Sequence, residues 1–289
     1  MNVSIAMITY NHERYIREAI QGVLTQRNAY RSEIVIGEDF STDSTRTICE
    51  EYAMKHPDIV RLMPTDRNLG AIPNFIRTLK ACTGQYIAFC EGDDYWTDPY
   101  KLQKQVDFME ANPQFSLCFH NALLIDEGRN RAPKEMCHPG QKSSCDLEDA
   151  IAGMGIATAS ILFRRKWLQI PEWLHQIYNG DYAMLLLMAE KGKIGYINEV
   201  MSVYRRQSGG LNAKMKQSMI TQQQILLLSY FNMHSRFHYN ELIRRRINSK
   251  FEDYSDHLAN EKPRIARIFS YRFWKNHFVQ SNRHTKNSS

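Results

Sequence analysis

Glu91, Asp93 and Asp94 surround Gly92 in the stretch FCEGDDYW, directly behind the apolar run Tyr86 to Cys90 and directly ahead of two aromatics. Like charges this close repel and raise one another's pKa, so the cluster calls for a compensating cation, a proton or a run of backbone N–H groups. Two readings stand side by side. In one, Asp and Gly are turn formers, and Asp94 or Asp98 caps the helix that follows. In the other, two carboxylates hold a hard divalent cation, manganese or magnesium, which in turn holds phosphate oxygens of a ligand.

A second apolar run also ends in carboxylates, in VIGEDFSTDST. Here Asp43 reads as a helix cap among Ser41, Thr42, Ser44 and Thr45, whereas Asp39, at the strand end, is an acceptor able to read the N–H edge of a base such as uracil. A third acid, Asp181, follows Asn179-Gly180, a pair that suits a tight turn, and opens a helix carrying Met184, Leu185, Leu187 and Met188. It reads either as an N-cap or as a carboxylate fixed in place for proton transfer. His120 reads as a hydrogen-bonded histidine at a strand end, and Ser160 lacks the nucleophile elbow of a hydrolase.

The elements that must position these residues alternate. Val3–Ile8, Ile34–Ile36, Ile59–Met63, Tyr86–Cys90 and Phe115–Phe119 have the short apolar runs of buried strands. Between them Tyr15, Ile16, Ala19, Ile20, Val23 and Leu24 recur at helical spacing, and DSTRTICEEYAMKH, IPNFIRTLKAC and DPYKLQKQVDFMEAN fit helices as well. Such alternation predicts an α/β fold with a mainly parallel, doubly wound sheet, whose ligands bind at the carboxyl ends of the strands. Thr9-Tyr10-Asn11, Glu38-Asp39 and the EGDD stretch all fall there. The segment from Glu127 to Asp149 reads as a long irregular connection, ATASILF as a strand, GDYAMLLLMAEKG as a helix, and KIGYI and VMSVYRR as two strands. Beyond Gly209-Gly210 the periodicity is helical to about residue 280, a C-terminal helical extension.

The totals narrow the class. The 289 residues suffice for one large domain with a smaller appendage, and 43% hydrophobic with 24% charged residues is the balance of a globular protein. No apolar run reaches the length of a membrane span, and MNVSIAMITYNHERY reads as a first strand rather than a signal peptide, so the expectation is a cytoplasmic protein. The six cysteines show neither paired nor zinc-type spacing and read as buried thiols. A net charge of +6 suggests an anionic partner. Ile265, Ile268, Phe269 and Phe273 share a helical face in the basic tail RIARIFSYRFWKNHF, which suits peripheral contact with an anionic membrane, packing on the rest of the chain, or a homodimer contact. Nucleic acid is not expected as a partner, because the basic residues lack interleaved stacking aromatics outside that tail.

In order, ITYN, IGEDFSTDST, DRNLGAIPNF, GQYIAFCEGDDYW, GDYAMLLLMAEKGKIGYI and VYRRQSGG resemble the family 2 inverting glycosyltransferases of the GT-A fold. The resemblance covers roughly residues 1–210. It implies a catalytic domain over 1–210, with a nucleotide-binding half (1–120) and an acceptor half (121–210), followed by the extension 211–289. It implies that Thr9, Tyr10 and Asn11 line a nucleotide pocket, that Asp39 meets the base, and that Arg67 and Asn68 lie close by. Glu91 and Asp93 take the two acidic positions of the family's Asp-x-Asp motif, with Asp93 the principal ligand of manganese or magnesium. Asp181 matches the general base, and Arg205 and Arg206 fall in the segment that closes over the donor diphosphate. The implied donor is a nucleotide-diphospho-sugar, UDP- or dTDP-linked, and the implied acceptor a hydroxyl of a saccharide or lipid-linked molecule. Three departures stand out: Glu91 and Glu38 replace Asp, and Gln207 stands where the pattern often has His, which leaves a third protein ligand to the metal open. A nucleotidyltransferase would carry a glycine-rich, arginine-containing loop where this chain has TYNHERY. A non-catalytic nucleotide-sugar or glycan-binding protein would lack the base or metal residues, which are present.

Overall fold

The structure is a computed structural model and describes residues 2–127, 131–207, 210 and 215–261. Its strands are where the apolar runs are. Strand β1 (Asn2–Thr9) buries Val3, Ile5 and Met7 on one face, and helix α1 (Ile16–Leu24) turns Ile16, Ala19, Ile20 and Val23 onto the same core. Truncating one of these isoleucines to alanine would cost about 2–5 kcal/mol. β2 (Arg31–Glu38), α2 (Thr45–Lys55), β3 (Val60–Leu62), α3 (Ala71–Ala81) and β4 (Tyr86–Phe89) continue the alternation. β1 pairs in parallel with β2 and β4, and β2 with β3.

Then follow β5 (Tyr95–Trp96), α4 (Lys101–Ala111), β6 (Phe115–Asp126), β7 (Lys134–Glu135), β8 (Ser144–Cys145), α5 (Leu147–Ala152), β9 (Leu162–Arg164), α6 (Gly180–Ala189) and β10 (Lys193–Arg206). The sheet runs β3-β2-β1-β4-β9-β6-β10-β5. β9 is antiparallel to both neighbours, and β6 and β10 are parallel. Because side chains alternate along a strand, Tyr86 and Ala88 join the core of Ile5, Ile20 and Val106, while Phe89 faces the other way. There it packs between Phe75 of α3 and Phe163 of β9 in tilted pairs, with ring centroids 5.5 Å apart in both. The sheet is thus covered on both faces, and its carboxyl edge is left for ligands.

Three details differ from the expectations. KIGYI and VMSVYRR are one strand, since a bulge between Ile197 and Val200 absorbs Asn198 and Glu199 without breaking the pairing. ATASILF begins with a 3-10 turn at Thr158–Ser160 and becomes a strand only at Leu162, the Ser160 hydroxyl donating back to the carbonyl of Ala157 at 2.6 Å. The connection after Glu127 holds β7, β8 and α5, the last started by a capping box in which Asp146 and Asp149 each accept from the other's N–H.

By internal contacts the chain divides into two compact units, Met1–Ala213 and Lys214–Ser289. The second contains α7 (Gln217–His234) and α8 (Asn240–Glu261), which pack on each other; Asn232 donates to Asn240 at 3.0 Å at the turn between them. The basic stretch RIARIFSYRFWKNHF lies outside the described residues. Among the described residues no helix is long and apolar enough to cross a membrane.

Candidate active site

The loops after β1 and β2 are laced together. The Asn11 N–H donates to Ser41 Oγ (3.0 Å), Asn11 Oδ1 accepts from the N–H of Thr42 (2.9 Å), and the His12 N–H donates to Thr45 Oγ1 (2.8 Å). Asn11 has φ +54°, a left-handed conformation that asparagine tolerates better than most residues. Thr9 is buried under this loop, and Tyr10 projects into solvent. Asp43 accepts from the N–H groups of Thr45 and Glu13, so it both starts α2 and ties the two loops. Buried Glu38 accepts from the N–H of Ser41 and pairs with Arg46 at 3.2 Å. It shapes the loop from within.

Asp39 is buried, and its two carboxylate oxygens each accept a backbone N–H at 2.9 Å, from Leu69 and Gly70. Burial pushes its carboxyl above the ordinary range, against the pull of those N–H groups. Asn68 donates through its side chain to the Asp39 carbonyl at 2.8 Å, so the DRNLG loop is moored to Asp39. Arg67, in the same loop, is exposed.

The acidic loop sits beside these. Gly92 is required by close approach: a Cβ there would stand 2.4 Å from Thr9 Oγ1. The buried Asp94 accepts from the Arg205 N–H at 2.8 Å through Oδ1, while its Oδ2 is buried without a partner. Burial, then the charge of Asp93, holds Asp94 well above the usual carboxylate range. Burial and then the charges of Asp93, Asp94 and Asp181 do the same to Glu91. Asp93 is partly exposed, accepts from Gln207 Nε2 at 2.9 Å and lies 3.8 Å from His12 Nε2. Gln207 thus occupies the place of the frequent histidine and reaches the same carboxylate.

Asp181 is the second residue of α6. The N-cap position is Asn179, which makes no side-chain cap, so the cap reading of Asp181 is not what its contacts show. Its Oδ2 accepts from the hydroxyl of Thr158 at 2.9 Å and its Oδ1 from the N–H of Tyr182 at 2.8 Å. Gly180 serves close packing: a Cβ there would come within 2.8 Å of the Phe75 ring, so its absence lets α6 start against α3. The same buried hydroxyl lies near Glu91, whose ionised form it favours, while the charge of Asp181 disfavours it, so Thr158 stands between Asp181 and the acidic loop. Sequence reasoning missed Thr158, because nothing in ATASILF marks a residue brought to the site by a 3-10 turn.

The two arginines part company. Arg206 is exposed at the end of β10. Arg205 is buried: its guanidinium donates to the Asp93 carbonyl at 3.0 Å, pairs with Glu18 and Glu127, and lies 4.3 Å from the Tyr95 ring centroid and 5.1 Å from that of Tyr15. Here Arg205 braces the acidic loop, a role that the spacing of RR could not separate from that of its neighbour.

Oxygen donors dominate this edge, two of them carboxylates that burial makes costly to ionise, and the partnerless Asp94 Oδ2 lies among them. That donor set fits a hard divalent cation. Among the described residues, no three His, Cys, Asp or Glu side chains form a ready-made metal cage. A cation here would therefore take further oxygens from its ligand and from water, as magnesium and manganese do at phosphate sites.

Comparison with known proteins places this architecture. The Glycosyl transferase family 2 profile matches residues 4–170, more than half of the chain. An uncharacterized protein of Mycobacterium tuberculosis is 37% identical over 211 residues, 72% of this chain and 60% of that relative; the chain thus spans about three fifths of the length of the curated relatives it first matches. Among solved structures, Staphylococcus aureus TarS in complex with UDP superposes with a TM-score of 0.64 at 16% identity, covering 91% of this chain and 76% of TarS. The mannosyltransferase PcManGT of Pyrobaculum calidifontis, in complex with GDP-Man and Mn2+, gives 0.58 at 16% identity, with 95% and 83% covered. The chain belongs to the family 2 glycosyltransferases and has their GT-A fold.

Proposed function

We propose that this chain transfers a sugar from a nucleotide-diphospho-sugar to a hydroxyl of a saccharide or lipid-linked acceptor, with inversion and with a divalent cation. The observation that carries the reading is the meeting, at one sheet edge, of an acceptor at a strand end (Asp39), an acidic loop (Glu91, Asp93, Asp94) and a separate carboxylate (Asp181) that Thr158 orients and whose charge Glu91 feels. TarS in complex with UDP and PcManGT with GDP-Man and Mn2+ share the fold, which supports a nucleotide donor and a cation. A uridine or thymidine base is preferred, since either presents the imide N–H that Asp39 would accept.

In this reading Thr9, Tyr10 and Asn11 form the floor and rim of the nucleotide pocket, and Asn68, with Arg67 beside it, holds the loop against Asp39. Asp93, with Glu91 and the Gln207 amide, would hold manganese or magnesium, and the ion, when bound, would supply charge stabilisation for the diphosphate leaving group. Arg206 is exposed and free to reach the phosphates, while Arg205 fixes the acidic loop from beneath. Asp181 removes the proton from the acceptor hydroxyl on the face opposite the leaving group, and a single base suffices for inversion by direct displacement. Thr158 holds Asp181 Oδ2, so the carboxylate keeps one orientation while the hydroxyl approaches.

The test is a panel of UDP-, dTDP- and GDP-sugars incubated with manganese and candidate acceptors, scored by nucleoside diphosphate release and by the anomeric configuration of the product. Release that stops with chelator and an inverted product are expected. Turnover unaffected by chelator would remove the cation from the reading, and a retained configuration would remove Asp181 as the sole base. A nucleotidyltransferase would release no nucleoside diphosphate and would free a sugar phosphate only when pyrophosphate is added, and a binding protein would release nothing in either case.

A further inference from the structure

Phe40 follows Asp39 directly and has φ +59°, a left-handed conformation in which a bulky side chain is rarely found. Both of its chain neighbours are held in place. Asp39 is held through both carboxylate oxygens by Leu69 and Gly70, and Ser41 is held through its N–H by Glu38 at 2.6 Å and through its hydroxyl by Asn11. The ring itself is 48% exposed, so burial does little to offset the backbone conformation. Glycine would fit this backbone better and cover no less of the core. The other large aromatic at this rim is Tyr10, 43% exposed. Thr9 pairs with Glu38 in the β1–β2 register, so Tyr10 and Phe40 lie just past the ends of adjacent strands, Phe40 directly after Asp39. Two half-exposed rings beside a carboxylate that can accept from a ring N–H make a site for a flat heteroaromatic ligand, edge to the acid and face to a ring.

We propose that Phe40 provides an aromatic face for the base of the donor nucleotide, an inference that rests on the nucleotide-sugar reading above. Strain at position 40 is then retained because it holds the ring out of the core and beside the base. A base stacked on a protein aromatic gains binding energy with any of the bases, so Phe40 sets affinity while Asp39 sets the choice of base.

The experiment is calorimetry on the full chain with manganese, using UDP, dTDP and GDP as probes, with a thermal melt of each variant without nucleotide. Phe40→Gly is expected to weaken the nucleotide that binds the wild type on the order of tenfold without lowering the melting midpoint. Phe40→Tyr keeps a ring and is expected to bind as the wild type does. Wild-type affinity in Phe40→Gly overturns the inference and leaves the nucleotide-sugar reading standing. Weaker binding together with a lowered midpoint also overturns it, because Phe40 would then be holding the loop rather than the base. If none of the three nucleotides binds the wild type, the reading and the inference fall together.

Discussion

Thr158 and Asp181 are the pair on which the proposed chemistry turns. A carboxylate at the second position of a helix is ordinarily stabilised by the helix N-terminus and solvated, yet Asp181 has one oxygen fixed by a buried hydroxyl and the other by its own neighbour's N–H. Asp181→Asn can still accept the Tyr182 N–H through its oxygen and turn the contact with Thr158 into one donated by its amide to the hydroxyl oxygen, but it cannot take a proton, so transfer should slow at least about a hundredfold while donor affinity is nearly unchanged. Thr158→Val removes the hydroxyl at constant shape; a fall in kcat of about tenfold with unchanged KM for the donor is expected, and Thr158→Ser should restore the rate. Because the two residues act as a unit, the double variant should be no slower than Asp181→Asn alone. Additive losses would mean that Thr158 acts elsewhere, and a fast Asp181→Asn enzyme would move the base to another carboxylate. Of this pair Asp181 was legible from its motif. Thr158 was not, since a hydroxyl 23 residues away in the chain acquires its role only from the turn that brings it there.

At the level of elements, α4 carries an uncommon burden. Lys101 is fully buried at its first position, with Nζ donating to Gln105 Oε1 at 2.7 Å and lying 3.8 Å from the Trp96 ring centroid. Burial lowers its pKa to about 7, far below the ordinary value of about 10.4. Between those two pH values the unfolded chain holds a proton that the folded chain has released, so this group's contribution to stability rises as pH rises from about 7 to about 10.4 and falls as pH drops back. Lys101→Met removes the penalty at similar volume. Even with Gln105 losing a partner, we expect the variant to melt higher than wild type at pH 7 and the difference to shrink toward pH 10. A stability difference that does not change with pH would show that Lys101 is charged in the fold, held by Trp96 and Gln105. The helix itself followed from DPYKLQKQVDFMEAN, but the lysine's burial did not, because a charged residue in a helical pattern is ordinarily read onto the solvated face.

For the whole molecule, the division at Ala213 makes a prediction about what carries binding. A chain ending after Ala213 contains every proposed nucleotide, metal and base residue, and its sheet is covered on both faces by its own helices. It should melt cooperatively and bind UDP or dTDP with manganese within about threefold of the full chain, a small change beside the tenfold that 1.4 kcal/mol represents. Loss of binding in a folded truncated chain would place part of the site in residues 214–289. The alternation of short apolar runs with helical periodicity, read with the family's motifs, was enough for the class of fold, the strand-end position of Asp39, Glu91 and Asp93 and the helix-start position of Asp181. Those features depend on which residues are apolar and how they are spaced, which is local information. Sequence could not separate Arg205 from Arg206, join KIGYI to VMSVYRR, bury Lys101, bring Thr158 to Asp181 or bend Phe40 into a left-handed backbone. Each of these depends on contacts between residues far apart in the chain: Arg205 reaches the carbonyl of Asp93, β10 stays one strand because β6 pairs along its length, and the residues flanking Phe40 are held by partners on two other segments. Burial and pairing of that kind come from packing the elements together, and only the tertiary structure decides them.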